Sequence, residues 1–142
     1  MDRSSEARWI GDLKTGNGIV KIGSGGFESP YSFASRFESG TGTNPEELLG
    51  AAHAGCYSMA LNSSLAKAGY LPASITTTAT VHLTKGDAGF GISGITLTTR
   101  GVVPGITAAE FQKAAEDTKS GCIVSKALSA VPMTLDAQLV AG

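Results

Sequence analysis

The sequence predicts an α+β protein with the element order β-β-β-α-β-β-α-β, and three observations support this prediction. Residues that favour strands occur in two groups, one before residue 40 and one after residue 74. A long capped helix lies between the groups, and a shorter capped helix follows the second group. Short Gly-rich turns join the strands within each group, as is typical of antiparallel hairpins. Strands and helices therefore segregate along the chain instead of alternating one by one, as they do in α/β folds.

Length and composition restrict the class of protein. A chain of 142 residues is long enough to bury the core of one domain. Its formal net charge is −1 and its Lys and Arg residues are scattered, so neither nucleic acid nor an anionic membrane is an expected partner. The first fifteen residues lack a signal-like apolar run, and no segment reaches the roughly 18 apolar residues of a membrane span. We therefore expect a cytoplasmic protein.

The expected organisation is a single domain covering residues 1–142. It comprises a three-stranded N-terminal lobe over about residues 1–40, a central helix over about 45–68, and a β-β-α-β lobe over about 74–142. The predicted N-terminal strands are Glu6–Leu13, Asn17–Gly23 and Tyr31–Phe37, with a turn of Gly and Asn residues between the first two. The Gly-rich loop at 23–26 lacks the Lys-Ser/Thr pair of a phosphate-binding loop.

The central helix has the strongest local signals in the chain. Asn44 is a favourable N-cap, Pro45 suits the first helical position, and Glu47 stands three residues after the cap, as in a capping box. The helix is expected to end near Lys67, and Gly69 closes it. Six of the positions from 50 to 60 are Gly or Ala. Such small side chains allow a second helix or a sheet to approach closely.

Helical periodicity places Cys56 on the predicted buried seam of this helix. The seam consists of residues three or four positions apart: Leu49, Ala52, Cys56, Met59 and Ser63. On this basis alone, Cys56 is as readily a small core residue as a reactive one, because free cysteines are often buried.

The C-terminal lobe begins with the clearest strand of the sequence, which is rich in Thr. Its predicted elements are, in order, the strands Ser74–Lys85 and Ile92–Val103, a helix over Ala108–Lys119, and a last strand over Val131–Leu139. Gly94 predicts a kink in the second of these strands. Thr107 and Glu110 form a second capping box, and Cys122 opens a short helical segment.

The chain has two cysteines, Cys56 and Cys122. In a reducing compartment, they are not expected to form a permanent structural bridge. Two interpretations remain: the cysteines are a catalytic or transient redox pair, which a reducing compartment favours, or they are two packed core residues.

Seven segments spread along the chain carry a family resemblance. They are Trp9–Asp12, Phe37–Glu38, Asn44–Cys56, Ser58–Leu61, Lys85–Phe90, Val103–Ile106 and Gly121–Ser125. Together they resemble the OsmC branch of the OsmC/Ohr family of thiol peroxidases, nearly from end to end. The fold that this resemblance implies is an intertwined homodimer, in which two sheets wrap around a pair of central helices. A helix rich in Gly and Ala suits that arrangement.

The resemblance also implies roles for individual residues. Cys56 matches the peroxidatic cysteine, Cys122 the resolving cysteine, and Arg36 and Glu46 the polar partners of the thiol. A protein of this family would reduce organic hydroperoxides, and hydrogen peroxide more weakly, in defence against oxidative and osmotic stress. It would need no metal or other cofactor. An external dithiol, for which a lipoyl group is one candidate, would restore the thiols.

Position 123 departs from the family pattern. Proline commonly follows the second cysteine in the family, whereas this chain has Ile123 after Cys122. Because proline fixes the backbone of a turn, Ile123 leaves the presentation of the Cys122 thiol less constrained.

Peroxide chemistry independently calls for these residue types. Attack on an O–O bond requires a thiolate, yet a free cysteine has a pKa of about 8.5, and burial raises it further. Arg36 is a suitable cation, because a guanidinium stays charged and can bond the thiolate and the leaving oxygen together. A carboxylate such as Glu46 can hold it in place. Attack would leave a sulfenic acid on Cys56, with which Cys122 would condense to a disulfide.

The spacing between Glu46 and Cys56 limits where a site can form. In one straight helix, these two residues lie about 15 Å apart along the axis and about 80° out of register. Both can serve one pocket only if the helix breaks near Gly50 or if Glu46 comes from the other subunit. Spacing therefore supports a site at a homodimer interface.

Alternative functions use the same residues. His53 lies one turn before Cys56, so an acyl-transfer or hydrolytic enzyme with a Cys-His pair is conceivable, although no oxyanion-forming loop is evident. Otherwise, His53 is a hydrogen-bonded core or interface residue. A third alternative is a non-catalytic dimer that binds a small apolar ligand, with both cysteines merely packed. Zinc would require the ligands His53, Cys56, His82 and Cys122, which lack the paired short spacings of structural zinc sites.

Several aromatic side chains have two interpretations. They are either ordinary core residues or, for one or two of them, the wall of an apolar channel that would favour organic hydroperoxides. The aromatic candidates are Tyr31, Phe33, Phe37 and Tyr57, and the same two interpretations apply to Met59.

Overall fold

A computed structural model describes all 142 residues and confirms the predicted α+β class. The helices are α1 (Phe33–Phe37), α2 (Pro45–Lys67), α3 (Ala108–Gly121) and α4 (Ile123–Ala127). The strands are β1 (Ser5–Ile10), β2 (Asn17–Ile22), β3 (Glu28–Tyr31), β4 (Ser74–Gly86), β5 (Gly89–Val102) and β6 (Met133–Leu139). Backbone contacts divide the chain into two compact units, Met1–Leu48 and Leu49–Gly142, which we call the N-terminal and C-terminal units.

The N-terminal unit contains an antiparallel sheet in the order β1-β2-β3. The predicted hairpin of the first two strands is confirmed. Asp12 shapes its turn, because its carboxylate accepts hydrogen bonds from the N–H groups of Lys14 and Thr15. The rings of Trp9 and Tyr31 pack together with their centroids 5.2 Å apart, and so connect the first strand with the third.

The segment predicted as a third strand, Tyr31–Phe37, is mostly helical. Its first residue ends β3, whereas Phe33–Phe37 forms α1. Ser32 and Ser35 explain the difference, because each side chain bonds the backbone N–H of the other in a capping box. The strand prediction was wrong because alternating aromatic and polar residues fit a single helical turn as well as a short strand. Arg36 therefore lies on a capped helix.

Helix α2 runs without interruption over Pro45–Lys67 and has no break near Gly50. Its predicted N-cap is confirmed, since the side chain of Asn44 accepts a 2.8 Å hydrogen bond from the N–H of Glu47. The helix ends as expected before Gly69, which adopts the left-handed conformation with φ +92°.

The C-terminal unit contains a second sheet in the order β4-β5-β6. Strands β4 and β5 pair antiparallel as predicted, and the irregularity expected near Gly94 is a bulge in which Ser93 has no register partner on β4. Strand β6 pairs parallel to β5, so the prediction of purely antiparallel sheets was wrong. The reason is the connection, because α3 and α4 return the chain to the end of the sheet where β5 began.

The predicted buried seam of α2 was also wrong. The buried face follows His53, Tyr57, Leu61 and Leu65 at four-residue steps, and Cys56 is half-buried at its margin. Three of the residues assigned to the seam are exposed: Ala52, Met59 and Ser63. The error arose because Gly and Ala differ little in hydrophobicity from one face to the other, so small residues do not mark the side that packs.

The core of the C-terminal unit combines α2, β5 and α3. Leu61 of α2, Leu97 of β5 and Ala115 of α3 are each fully buried. The close approach expected for the small residues of α2 is confirmed at Gly50, where an added Cβ would lie 2.9 Å from the carbonyl oxygen of Ala79 on β4. The backbone of this helix at Gly50 therefore lies close to the backbone of β4.

The two C-terminal helices follow the sequence signals closely. In the predicted capping box of α3, Glu110 accepts from the N–H of Thr107, and its own N–H donates to the Thr107 hydroxyl. Cys122 separates α3 from α4, which confirms the short helical segment expected after it.

Candidate functional site

Two sulfur atoms form the centre of the candidate site in the C-terminal unit. Cys56 lies on α2 and Cys122 lies between α3 and α4, and their Sγ atoms are 3.1 Å apart. Both are free thiols. The two residues are 66 positions apart in the sequence, so the fold brings them together. A disulfide would require the sulfurs to approach by about 1 Å.

The two thiols differ in exposure. Cys122 is 1% exposed and belongs to the hydrophobic core. Cys56 is half-buried and packs against that core. A small molecule from solvent therefore reaches the sulfur of Cys56 more easily than that of Cys122.

The surroundings shift the pKa values of the two thiols in opposite directions. Burial raises the pKa of Cys56, and the neighbouring Cys122 raises it further, against two backbone N–H groups at the start of α4. For Cys122, burial also acts upward, but the N–H and hydroxyl of Ser125 and the Cys56 thiol outweigh it, so the pKa is lowered. None of the groups that act most strongly on the pKa of Cys56 is a cation.

The turn at Cys122 has the geometry that proline would impose, although Ile123 follows it. Cys122 has φ −59° and ψ 137°, the extended conformation also required of a residue before proline. Ile123 occupies the first position of α4 with its side chain 79% exposed. Its backbone N–H is one of the groups that act to lower the pKa of Cys56. The backbone at Cys122 is therefore compatible with proline or isoleucine at position 123, and Ile123 supplies an N–H that proline would lack.

His53 lies on the buried face of α2 and is fully buried. Its Nε2 atom is 2.7 Å from the hydroxyl oxygen of Ser125, and it makes no hydrogen bond to Cys56. Burial lowers the pKa of His53, which favours the neutral ring. The structure therefore does not form the Cys-His pair considered from sequence, and His53 is a hydrogen-bonded core residue.

Arg36 and Glu46 form an ion pair within the N-terminal unit. Nη2 of Arg36 donates to one carboxylate oxygen of Glu46 at 2.8 Å, and its Nε donates to both oxygens at 3.2 and 3.3 Å. The guanidinium also lies over the ring of Phe37, 5.1 Å from the centroid. The Glu46 side chain is 10% exposed and that of Arg36 is 38% exposed. The carboxylate thus holds the guanidinium in one orientation while leaving part of it accessible.

A cleft of about 400 Å³ opens beside Arg36 in the N-terminal unit. Its lining is largely apolar and aromatic: Trp9, Gly11, Leu13, Tyr31, Ser32, Phe33, Arg36 and Phe37. Three of the five candidates for an apolar channel therefore lie here. Of the other two, Tyr57 is a core residue whose hydroxyl donates to the carbonyl of Ala115, and Met59 is 77% exposed.

The sequence interpretation overlooked two residues at these positions. Ser125 lies within hydrogen-bond distance of His53 and is one of the groups that lower the pKa of Cys122. Its sequence signal is the spacing of three residues from Cys122, which is the spacing between an N-cap and the third residue of a helix. Trp9 lines the cleft, and its pairing with Tyr31 depends on strand register, which the sequence does not display.

No group of three or more His, Cys, Asp or Glu side chains is placed so that it could bind a metal ion. None of the four helices combines the length and the apolar character needed to cross a lipid bilayer.

Comparison with known sequences reveals close relatives over nearly the whole chain. The profile of a family described as OsmC-like protein matches residues 38–136. A curated relative from Escherichia coli strain K12, named Peroxiredoxin OsmC, is 51% identical over 140 residues, covering 98% of this chain and 97% of the relative. A protein of the same name from Shigella flexneri matches to the same extent.

Solved structures share the fold at lower identity. The organic hydroperoxide resistance protein OhrB of Bacillus subtilis superposes with a TM-score of 0.74 at 22% identity, covering 95% of this chain and 98% of that one. An organic hydroperoxide resistance protein from Elizabethkingia anophelis gives a TM-score of 0.71 at 25% identity, with coverage of 98% and 96%. The likeness to OhrB concerns the fold alone.

Proposed function

This chain belongs to the OsmC-like protein family, and we propose that it is a thiol-dependent peroxidase that reduces organic hydroperoxides to alcohols. The peroxidase class follows from the name that its relatives carry. In the proposed reaction, Cys56 is the peroxidatic cysteine, Cys122 the resolving cysteine, and Arg36 with Glu46 the cationic element. Hydrogen peroxide would be a weaker substrate.

The observation that carries the proposal is the pair of sulfurs 3.1 Å apart, one half-buried and one buried. An accessible thiol can meet the substrate first, and a second thiol in contact with it can capture the oxidised sulfur before further oxidation. Two cysteines that merely fill the core would not need contact between their sulfurs.

The first step oxidises Cys56. Its thiolate attacks the terminal oxygen of the hydroperoxide, the O–O bond breaks, and the electron pair leaves with the alkoxide. The alkoxide takes a proton to become the alcohol, and Cys56 is left as a sulfenic acid.

The second step uses Cys122. Its thiolate attacks the sulfur of the Cys56 sulfenic acid, an S–S bond forms as the S–O bond breaks, and the hydroxide takes a proton and leaves as water. An external dithiol, such as a lipoyl group, then reduces the disulfide and is itself oxidised to a disulfide. We retain the cytoplasm as the predicted location, where such reductants keep thiols reduced.

Ionisation of Cys56 requires a cation, because burial raises the pKa of this thiol. Helix α2 is continuous, so along its axis Glu46 and Cys56 are separated by about 15 Å. We therefore infer that the Arg36–Glu46 pair serves Cys56 of a partner subunit in a homodimer. The exposed small residues of α2 support this inference, since they offer an unpartnered helix face: Ala51, Ala52 and Gly55.

The cleft supports an organic substrate. Its walls carry the aromatic side chains of Trp9, Tyr31 and Phe33, which would contact an alkyl or aryl group. Arg36 stands at the same cleft and could bond the peroxide oxygens. Apolar burial adds binding free energy for a hydrocarbon substituent that hydrogen peroxide lacks.

The decisive experiment adds one equivalent of an alkyl hydroperoxide to the reduced protein, follows the loss of free thiols, and maps any disulfide by mass spectrometry. We expect both thiols to disappear and a Cys56–Cys122 linkage to form. In the Cys122→Ser variant, a sulfenic acid should accumulate on Cys56. Survival of both thiols in excess peroxide would refute the peroxidase function and leave an apolar-ligand-binding dimer to be examined.

A further inference from the structure

His53 is a buried polar side chain to which the proposed mechanism gives no role. His53 is fully buried, with Nε2 2.7 Å from the Ser125 hydroxyl oxygen. Its other ring nitrogen, Nδ1, is buried and has no hydrogen-bond partner. A buried polar atom without a partner is costly, so packing alone does not explain a histidine at this position.

The missing partner at Nδ1 indicates which ring nitrogen carries the proton. A neutral imidazole has one N–H donor and one acceptor nitrogen. A proton on Nδ1 would leave a buried donor unpaired, and among backbone groups unpaired buried donors are rarer than under-satisfied acceptors. The proton therefore belongs on Nε2, which donates to the oxygen of Ser125.

Because its oxygen accepts from His53, the hydroxyl hydrogen of Ser125 is free to be donated elsewhere. Cys122 is the N-cap residue of α4 and Ser125 is the third residue of that helix, so the two side chains lie within the same first turn. The Ser125 hydroxyl is one of the groups that lower the pKa of Cys122, against the upward effect of burial. The other titratable groups that face this sulfur are Cys56 and Tyr57, both on α2.

We propose that His53 and Ser125 are positioning residues for the resolving step, in which the Nε2–H of His53 orients the Ser125 hydroxyl so that it donates its hydrogen to the Cys122 thiolate. The inference rests on the proposed peroxidase function and assigns how its second thiol is activated. The hydrogen bond between His53 and Ser125 is present in the reduced protein, before Cys56 is oxidised.

His53 and Ser125 keep their own protons while the disulfide forms. The Cys122 thiolate attacks the Cys56 sulfenic acid, one S–S bond replaces one S–O bond, and water leaves with a proton from solvent. A hydrogen-bond donor to the thiolate lowers the pKa of Cys122, so a larger fraction of Cys122 is ionised at neutral pH. The same hydrogen bond makes each thiolate less nucleophilic, with a Brønsted coefficient of about 0.4–0.5. For a gain of roughly tenfold in thiolate, the net acceleration is about threefold.

The first test titrates Cys122 by itself, in the Cys56→Ser protein, from the ultraviolet absorbance of the thiolate. Ser125→Ala should raise the pKa of Cys122 by roughly one unit. His53→Leu should raise it as well, whereas His53→Gln, which keeps an N–H near the position of Nε2, should not. Thr118→Val is the matched control, because it removes another buried hydroxyl that bonds within its own helix. Unchanged titrations in both Ser125→Ala and His53→Leu would overturn the proposal.

The second test separates the two chemical steps in protein with both cysteines. After one equivalent of tert-butyl hydroperoxide, the sulfenic acid is trapped with a dione probe and the disulfide is timed by mass spectrometry. Ser125→Ala should slow disulfide formation about threefold at neutral pH, and more than it slows sulfenic acid formation. Equal slowing of both steps, or of neither, contradicts the proposal.

The two tests keep the inference distinct from the proposed function. If the wild-type thiols do not react with the hydroperoxide, the peroxidase function fails, yet the titration still judges the hydrogen bonds around Cys122. Circular dichroism establishes that each variant is folded. Because His53 and Ser125 are changed separately, loss of folding in one variant leaves the other to decide the outcome.

Discussion

The N-terminal unit holds a charged group at its surface, in the ion pair of Arg36 and Glu46, whereas the C-terminal unit keeps two sulfurs among neutral groups. Arg36 lines an apolar cleft and remains partly exposed. The sulfurs of Cys56 and Cys122 are surrounded by thiol, hydroxyl and backbone N–H groups. In the proposed reaction, the N-terminal unit would therefore supply a cation and an apolar cleft for a hydrocarbon group, and the C-terminal unit the thiols that reduce the peroxide.

The contrast teaches that neither unit has a complete site for the proposed reaction. A thiolate at Cys56 is disfavoured by burial, and no cation is among the groups acting most strongly on it. Conversely, the N-terminal unit has no cysteine that could react. Peroxide reduction should therefore require a cation at the sulfur of Cys56, and in the proposed homodimer Arg36 of the partner subunit supplies it.

The largest effect should follow removal of the reacting sulfur. Cys56→Ser should reduce hydroperoxide consumption to background, since a hydroxyl cannot replace the thiolate nucleophile. Cys122→Ser should instead permit one turnover and stop at the sulfenic acid. Consumption assayed with a ferrous-xylenol orange readout distinguishes the two. If Cys56→Ser keeps substantial activity while Cys122→Ser loses it, the two cysteines have the opposite roles.

Removal of the cation should have the next largest effect. Arg36→Met should slow the reaction of Cys56 with hydroperoxide by about 10² to 10³, as expected when a preorganised donor to developing charge is lost. Arg100→Met is a matched control, because Arg100 pairs with Asp136 at a similar exposure in the C-terminal unit. The rate constants come from single-turnover kinetics with excess hydroperoxide.

Heterodimers of two inactive variants would show whether the Arg36 guanidinium at each Cys56 comes from the same subunit or from the partner subunit. When Arg36→Met and Cys56→Ser chains are unfolded and refolded together, heterodimers should contain one site with both native residues. Random pairing would then restore about a quarter of the wild-type activity. Absence of any recovery, although heterodimers form, would place both residues of a site in the same subunit.

The burial of His53 in the C-terminal unit predicts that the folded protein loses stability in acid. Burial lowers the pKa of His53 in the folded protein below the usual 6.5, so the unfolded chain takes up a proton first as the pH falls. The stabilising contribution is complete above the usual value and is lost as the pH falls towards the folded value. Urea unfolding at about pH 7.5 and about pH 5 should show this loss, and His53→Gln should reduce it. The control is His82→Gln, which makes the same substitution at an exposed histidine.

The smallest effects should distinguish the caps of the two units. Ser32→Ala and Thr107→Ala each remove a capping box, with an expected cost of about 1 kcal/mol in the free energy of unfolding. Only Ser32→Ala should also lower peroxidase activity, because α1 carries Arg36. Denaturant titration and a peroxidase assay on the same samples provide the two quantities. Equal losses of activity would show that the cap of α1 does not position the guanidinium.

The elements that the sequence predicted correctly have signals contained within a few neighbouring residues. Thr107 with Glu110, Asn44 before α2 and Gly69 after it each act over less than two helical turns, so their effect does not depend on the rest of the fold. Helix α1 was missed because its capping box places Ser35, not Glu or Gln, at the third helical position. The parallel pairing of β6 depends on the path of the whole connection before it.

For the candidate site, the residue types could be argued from peroxide chemistry, but their assignment came from family resemblance. The contact between His53 and Ser125 joins residues 72 positions apart, and no periodicity reveals such a pair. The buried face of α2 was hidden for a related reason. A helix of Gly and Ala shows its packing side only once its neighbours, including Ala79 of β4, are known.

The start of α4 shows how this chain could diverge from its relatives without changing its fold. The backbone at Cys122 already suits a following proline, and the side chain of Ile123 lies in solvent. Exchange between isoleucine and proline at this position would therefore leave the core intact, while adding or removing one N–H beside the sulfur of Cys56. Evolution could therefore change the pKa of Cys56 by substituting the one residue at position 123. The same change of pKa through burial would require several coordinated substitutions in the interior.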